Sequence, residues 1–178
     1  MTGYYLVKNG NAQEAFEERK LQLADPGEGQ VQIEVEAFGL NYADVMARMG
    51  LYRDAPPKPC ILGYEVVGKV VKCGANVAQD QMGKRVLAFT LFGGYATHVN
   101  SRSDAAVSIG EMPAEIATAL ATQYVTAEYM FYFKSVVQPN DRILIHAASG
   151  GVGTALVQMG LQEHCHITGM AGTDEKCE

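Results

Sequence analysis

The chain has 178 residues, 48% of them apolar and 19% charged, and a net charge of −6. That composition is globular, with room for one sizeable core or two small ones, and its acidic balance without long Lys/Arg runs argues against a nucleic-acid surface. No apolar stretch is long enough to span a membrane and the first residues do not read as a signal peptide, while Cys60, Cys73, Cys165 and Cys177 lack paired spacing and read as free thiols, so a reducing, cytoplasmic setting is expected.

Taken in chain order, Tyr4–Lys8 and Phe16–Leu23 read as a first pair of strands, followed by the turn cluster Asp25-Pro-Gly-Glu-Gly29. Val31–Phe38 alternates strictly. Val31, Ile33, Val35 and Ala37 fall on one face, which predicts a half-buried antiparallel strand. Asn41–Arg48 reads as a short helix with Asn41 as N-cap and Asp44 in its first turn, and Gly50 ends it. Three prolines between Leu51 and Cys60 predict an extended loop.

Glu65–Lys72 is a further strand, in which Gly68 marks a bulge or a close backbone approach. Arg85–Phe89, Tyr95–Val99 and Ala105–Ile109 follow as strands. Many short strands joined by turns predict a closed or partly closed β-barrel. From Pro113 the character changes: Pro113–Leu120 and Ala121–Phe133 are helical, and a domain boundary is expected near residue 122, giving domains 1–122 and 123–178.

The second part holds Ile143-Leu-Ile145, an apolar run that predicts a buried parallel strand. Gly150, Gly151 and Gly153 follow, and then Ala155, Leu156, Val157 and Met159 at helical spacing. His166–Met170 reads as the second strand of a βαβ unit. Strand, glycine turn and helix form the opening of a dinucleotide-binding unit, because the unpaired N–H groups and the dipole of a helix N-terminus favour a pyrophosphate. Gly150 lets backbone approach the phosphates, with Gly151 and Val152 in the same turn, and Gly153 lets the helix pack close to the strand. The other reading of these glycines is a plain tight turn.

Four stretches in one order, Asn41-Tyr-Ala-Asp44, Gly50-Leu-Tyr52, Leu62-Gly-Tyr-Glu-Val-Val-Gly68 and Ala147-Ala-Ser-Gly-Gly-Val-Gly153, resemble the medium-chain dehydrogenase/reductase superfamily. The nearest resemblance is to its zinc-free quinone oxidoreductase branch, which includes zeta-crystallin and the vesicle amine transport proteins. The resemblance implies a mixed α/β fold: a GroES-like β-barrel domain followed by a Rossmann domain. Zinc-dependent members carry Cys where Asn41 stands and Gly-His-Glu where Gly63-Tyr64-Glu65 stands, so no metal is expected. His164-Cys165-His166 reads as a loop or strand start, since adjacent residues of an extended segment point to opposite sides.

An NAD-preferring unit places an acid about 20 residues beyond the glycines. Here Ala171 falls at that place, with Thr173 and Lys176 after it, an arrangement that in the resembling family goes with NADPH. Lys176 alone reads equally as a solvated helix residue. Asn41 matches a family asparagine near the nicotinamide, a role compatible with helix capping. Thr126 matches a threonine on the nicotinamide side, against the alternative of a mid-helix threonine bonding back to a carbonyl. Tyr52 matches a pocket tyrosine that related enoyl reductases use as a proton donor, so it is the candidate catalytic residue, with an aromatic pocket wall as the other reading.

The resemblance therefore implies an NADPH-dependent, zinc-independent reductase of a small-molecule quinone or enone, homodimeric at full length. A Rossmann domain has about six strands. Two are legible here, so the sequence reads as an incomplete domain with impaired activity. The alternative is a non-catalytic GroES-like binding or assembly module.

Overall fold

The computed structural model describes residues 1–177. The chain packs as two units, Met1–Thr118 and Ala119–Glu178.

The first unit opens with strand β1 (Thr2–Leu6), a single helical turn α1 (Ala12–Ala15) and strand β2 (Phe16–Lys20). Strand β3 (Gln30–Phe38), helix α2 (Tyr42–Arg48), the short strand β4 (Cys60–Ile61) and strand β5 (Glu65–Cys73) follow. Strands β6 (Arg85–Phe89), β7 (His98–Arg102) and β8 (Ala106–Ser108) lead to helix α3 (Ala114–Leu120). The strands form two antiparallel sheets, ordered β2-β1-β4 and β7-β3-β5-β6-β8. A bridge between Gly3 and Ala96 and the Tyr4 N–H donated to the Tyr95 carbonyl (2.8 Å) join them into a partly closed barrel.

The interior of the larger sheet is aliphatic: Val31, Ile33, Val66, Val70, Val86 and Val99 form one cluster. β-Branched side chains suit a pleated surface, and each buried valine contributes about 1.5–3 kcal/mol. The alternation expected of β3 holds for Val31 and Ile33 but not for Gln32, which is equally buried. Register shifts between Gln32 and Ile33 and between Val35 and Ala37 break the period of two. The Gln32 amide is satisfied by the Asn100 side chain at 3.2 Å. Gly68 is the predicted close approach: it pairs with Val35, and a Cβ there would stand 2.1 Å from the Glu34 carbonyl oxygen.

The expected strand Tyr95–Val99 is displaced to His98–Arg102. The backbone of residues 94–95 instead donates to the Gly63 and Leu62 carbonyls (3.2 and 2.9 Å), so this stretch is held by a loop and not by a ladder. Arg85 donates to both Glu36 carboxylate oxygens (2.7 and 2.9 Å) and to the Gly110 and Met112 carbonyls (3.0 and 2.6 Å).

In the second unit, helix α4 (Thr122–Glu128) runs into a wider π-turn at Tyr129–Lys134, where a continuous helix was expected. Strand β9 (Arg142–Ile145), helix α5 (Gly151–Gln162) and strand β10 (His166–Gly169) make the predicted βαβ unit, with β9 and β10 parallel. Helix α5 lies on this pair through Gly160, where a Cβ would meet Ile143 and Ile167 at 2.9 and 3.0 Å. The expectation that β9 is buried fails for Leu144, which is 57% exposed. A parallel strand is buried only when both sheet faces are covered, and here the sheet has two strands.

Candidate functional site

The first unit holds a polar cluster at the start of α2. Asn41 caps this helix, and Asp44 closes a capping box with it by accepting the Asn41 backbone N–H at 3.0 Å. The Asn41 amide nitrogen donates to both oxygens of Glu65, at 2.9 and 3.0 Å. Glu65 is fully buried at the start of β5, and the Gly39 N–H reaches its carbonyl at 3.3 Å. A Cβ on Gly39 would stand 1.8 Å from Glu65 Oε1, so only glycine lets the carboxylate reach Asn41. The second oxygen of Asp44 accepts the Gly63 N–H at 3.2 Å. Asn41 is thus both a cap and a side chain fixed in orientation.

Tyr52, on the loop after α2, is half-buried and packs against the cluster of Leu6, Ala47 and Leu62. The Tyr64 hydroxyl is buried with no hydrogen-bond partner among the described residues. Burial first, then Tyr52, then Asp44 and Asp54 hold the Tyr64 pKa well above the ordinary tyrosine value. The Tyr64 ring packs on Phe92 (centroids 5.3 Å), and its loop is pinned by the Thr90 hydroxyl, which donates to the Gly63 carbonyl at 2.8 Å. Tyr95 is buried against Phe38 (4.7 Å), and burial followed by the nearby Asp44 charge raises its pKa as well.

The zinc position does not fit the metal. Asn41 is engaged with Glu65, and a phenol as hard to ionise as Tyr64 is a poor zinc ligand. Among the described residues no three His, Cys, Asp or Glu side chains gather to hold a metal ion.

The second unit holds the glycine turn. Gly150 is the N-cap of α5, and the first helical hydrogen bond in from the cap is Thr154 N–H to the Gly150 carbonyl, 2.8 Å. The N–H groups of Gly151, Val152 and Gly153 therefore form the open first turn of the helix. A Cβ on Gly153 would stand 2.2 Å from the Ala147 carbonyl oxygen, so this glycine serves helix packing. At Gly150 the nearest atom would be 3.2 Å away and the residue is exposed, which leaves a cradle open to solvent. Ala147 adopts φ 51°, a left-handed conformation that the run of alanines gave no reason to expect.

The end of β10 is stitched to this turn: Met170 N–H donates to the Ile145 carbonyl and Ala148 N–H to the Met170 carbonyl, each 2.9 Å. Thr173 caps a short 3-10 turn, Asp174–Lys176, and both Thr173 and Lys176 are exposed. Thr126 is exposed on α4, three residues after Gln123, whose side chain covers Gly151. Sequence reasoning passed over Tyr95 and gave Tyr64 no chemistry. Its one signal was the Tyr in place of a metal ligand.

A partly closed antiparallel barrel followed by a βαβ unit with a glycine turn is the ground plan of a dehydrogenase-type protein. Residues 27–136 match the alcohol dehydrogenase GroES-like domain. The chain is 39% identical over 135 residues to the human synaptic vesicle membrane protein VAT-1 homolog, covering 75% of this chain and 34% of that one. It is 34% identical over 157 residues to quinone oxidoreductase 1 of Escherichia coli, covering 87% of this chain and 48% of that one. The crystal structure of the Escherichia coli quinone oxidoreductase complexed with NADPH superposes with a TM-score of 0.89 at 31% identity, over 99% of this chain and 54% of that one. The chain belongs to the medium-chain dehydrogenase/reductase superfamily, in its zinc-free quinone oxidoreductase branch. It spans between a third and a half of the length of these curated relatives. No helix among the described residues is long and apolar enough to cross a membrane.

Proposed function

We infer that the protein is an NADPH-dependent, zinc-independent reductase acting on a quinone or an α,β-unsaturated carbonyl. The observation that carries this reading is the open first turn of α5 at Gly150–Gly153, with the small residues at the end of β10 stitched beside it. A nicotinamide cofactor, when bound, supplies a hydride. The chain's own residues do the rest. The N–H groups of Gly151, Val152 and Gly153 bind the pyrophosphate at a helix N-terminus. Thr173 and Lys176 hold the ribose 2′-phosphate, since Ala171 leaves no acid to repel it. Asn41, fixed by Glu65, and Thr126 orient the nicotinamide end. Tyr52 gives a proton to the reduced substrate.

In this reading residues 1–122 are the substrate domain and 123–178 belong to the nucleotide-binding domain, of a cytoplasmic homodimer at full length. The similarity to a quinone oxidoreductase with bound NADPH supports the cofactor. The test is direct: the full-length protein is mixed with NADPH and a panel of quinones and enones, and NADPH absorbance is followed. Cofactor binding without turnover of any acceptor defeats the reading. A second reading, a non-catalytic binding module, is favoured by the apolar exposure of Phe133, Leu144 and Leu161 in the second unit. It predicts no NADPH binding and a mass above the monomer by light scattering.

A further inference from the structure

Gly151, the first residue of α5, is crossed by a side chain of the neighbouring helix. A Cβ built on it would stand 2.8 Å from Cδ, 3.0 Å from Cγ and 3.1 Å from Nε2 of Gln123. Gln123, in the first turn of α4, thus fills the place that a side chain at Gly151 would take. The next residue of α4 fixes this placement: the Tyr124 phenol donates to Gln158 Oε1 on α5 at 2.6 Å. Gln123 is half-buried, while Gly150 and Gly151 are exposed, so the carboxamide lies at the rim of the open first turn.

The chemistry of this rim is one-sided. Of the two ends of the Gln123 carboxamide, the nitrogen is the one turned nearer to Gly151. The N–H groups of Gly151, Val152 and Gly153 stand in the same turn, together with the positive end of the helix dipole. A helix end that only had to be capped would favour an oxygen there, because oxygen accepts from the open N–H groups. A donor placed beside donors suits an acceptor held between them, and an anion with several oxygens serves them all.

We propose that Gln123 is a further cofactor-binding residue, its carboxamide N–H donating to the pyrophosphate that the first turn of α5 holds. This rests on the reading of that turn as an NADPH site. A carboxamide carries two N–H donors and a carbonyl oxygen, so the contact takes one donor and leaves the other polar groups to the protein. Thr126 lies three residues on, on the same face of α4. One face of this helix therefore follows the cofactor, with Gln123 at the pyrophosphate and Thr126 at the nicotinamide end. Gly151 is then glycine for two reasons: its N–H faces the phosphates, and its missing side chain makes room for Gln123.

The test measures binding and not turnover. Dissociation constants of NADPH and of 2′-phospho-ADP-ribose, which keeps the pyrophosphate and lacks the nicotinamide, are determined by calorimetry. The full-length protein is compared with Gln123→Ala and Gln123→Glu. Gln123→Ala is expected to weaken both ligands by the same factor, about tenfold, the loss of one hydrogen bond to a charged group. Gln123→Glu is expected to weaken both further, since it sets a negative charge against the pyrophosphate. Its carboxylate at a helix N-terminus favours the fold, so this variant reports on the contact even where the alanine variant folds poorly. Unchanged affinities in Gln123→Ala, a loss confined to NADPH, or a Gln123→Glu variant that binds as tightly as the parent each overturns the proposal. An unmodified protein that binds neither ligand overturns the cofactor reading and this contact with it. Binding by the parent that both variants keep in full removes the contact alone.

Discussion

One amide nitrogen of Asn41 reaches both carboxylate oxygens of Glu65, at 2.9 and 3.0 Å, and ties the cap of α2 to the inner strand β5. Asn41→Asp would bring a second carboxylate onto a fully buried first one. The expected loss is about 2–4 kcal/mol at neutral pH, because a buried charge loses its donor and gains a like charge. One of the two carboxyls must then keep its proton, with a folded pKa above the unfolded value. The favourable contribution of that proton is complete below the unfolded pKa and lost as pH rises through the folded one. Urea denaturation at pH 5 and pH 7 should therefore show a smaller deficit at the lower pH. Equal deficits would mean that no proton is shared.

Two glycines of the turn are expected to separate packing from ligand binding. Gly153→Ala pushes a Cβ to 2.2 Å from the Ala147 carbonyl oxygen, backbone that cannot swing aside. Thermal unfolding should register about 1–3 kcal/mol of destabilisation. Gly150→Ala meets only one atom, at 3.2 Å, and should stay within about 1 kcal/mol of the parent, yet lose NADPH binding by about tenfold or more. If Gly150→Ala binds NADPH normally, the turn is not a phosphate cradle.

Tyr64 and Tyr95 are expected to contribute to the alkaline unfolding of the protein. Both have folded pKa values raised by burial above the unfolded one. The sign follows from proton linkage: above about pH 10 the unfolded chain releases protons that the folded chain retains, so stability is complete below that pH and falls beyond it. Two such phenols steepen the fall by up to about 2.7 kcal/mol per pH unit. Tyr95→Phe should lower the slope of denaturation midpoint against pH between pH 10 and 11.5. An unchanged slope would place the alkaline transition elsewhere.

Cofactor choice can be reversed at the end of β10. Ala171→Asp introduces the acid that favours a ribose 2′-hydroxyl and repels a 2′-phosphate. Lys176→Ala removes the exposed cation. Each should lower the NADPH-to-NADH affinity ratio by about tenfold, or about 1.4 kcal/mol, measured by fluorescence titration. A ratio that ignores both changes assigns the 2′-phosphate to other residues.

Much of this fold was legible because local patterns and tertiary packing agree. Arg85–Phe89 is a strand in sequence and in structure, and the βαβ unit follows from apolar runs flanking three glycines. The pattern fails where long-range partners override it. Gln32 is buried because Asn100, far along the chain, satisfies its amide. Tyr95 is no strand residue because a loop carbonyl, that of Leu62, takes its N–H. In the candidate site, Asn41 could be seen as a cap, but its bond to Glu65 spans residues whose proximity only the barrel creates. Tyr64 was visible as a replaced ligand, whereas its packing on Phe92 depends on a loop contact across 28 positions of the chain.

Arg85 fixes the way the chain leaves the larger sheet. After Ser108 at the end of β8 the Ile109 N–H donates to the Arg85 carbonyl at 3.1 Å, and beyond it the carbonyls of Gly110 and Met112 are gathered by the Arg85 guanidinium. The exit register is therefore set by the fork of one planar cation and not by a ladder. Lysine, with a single donor head, cannot span the Glu36 carboxylate and two carbonyls at once. The turn at Gly110, closed by the Met112 N–H to the Ile109 carbonyl at 3.1 Å, is thereby clamped to β6 by a side chain.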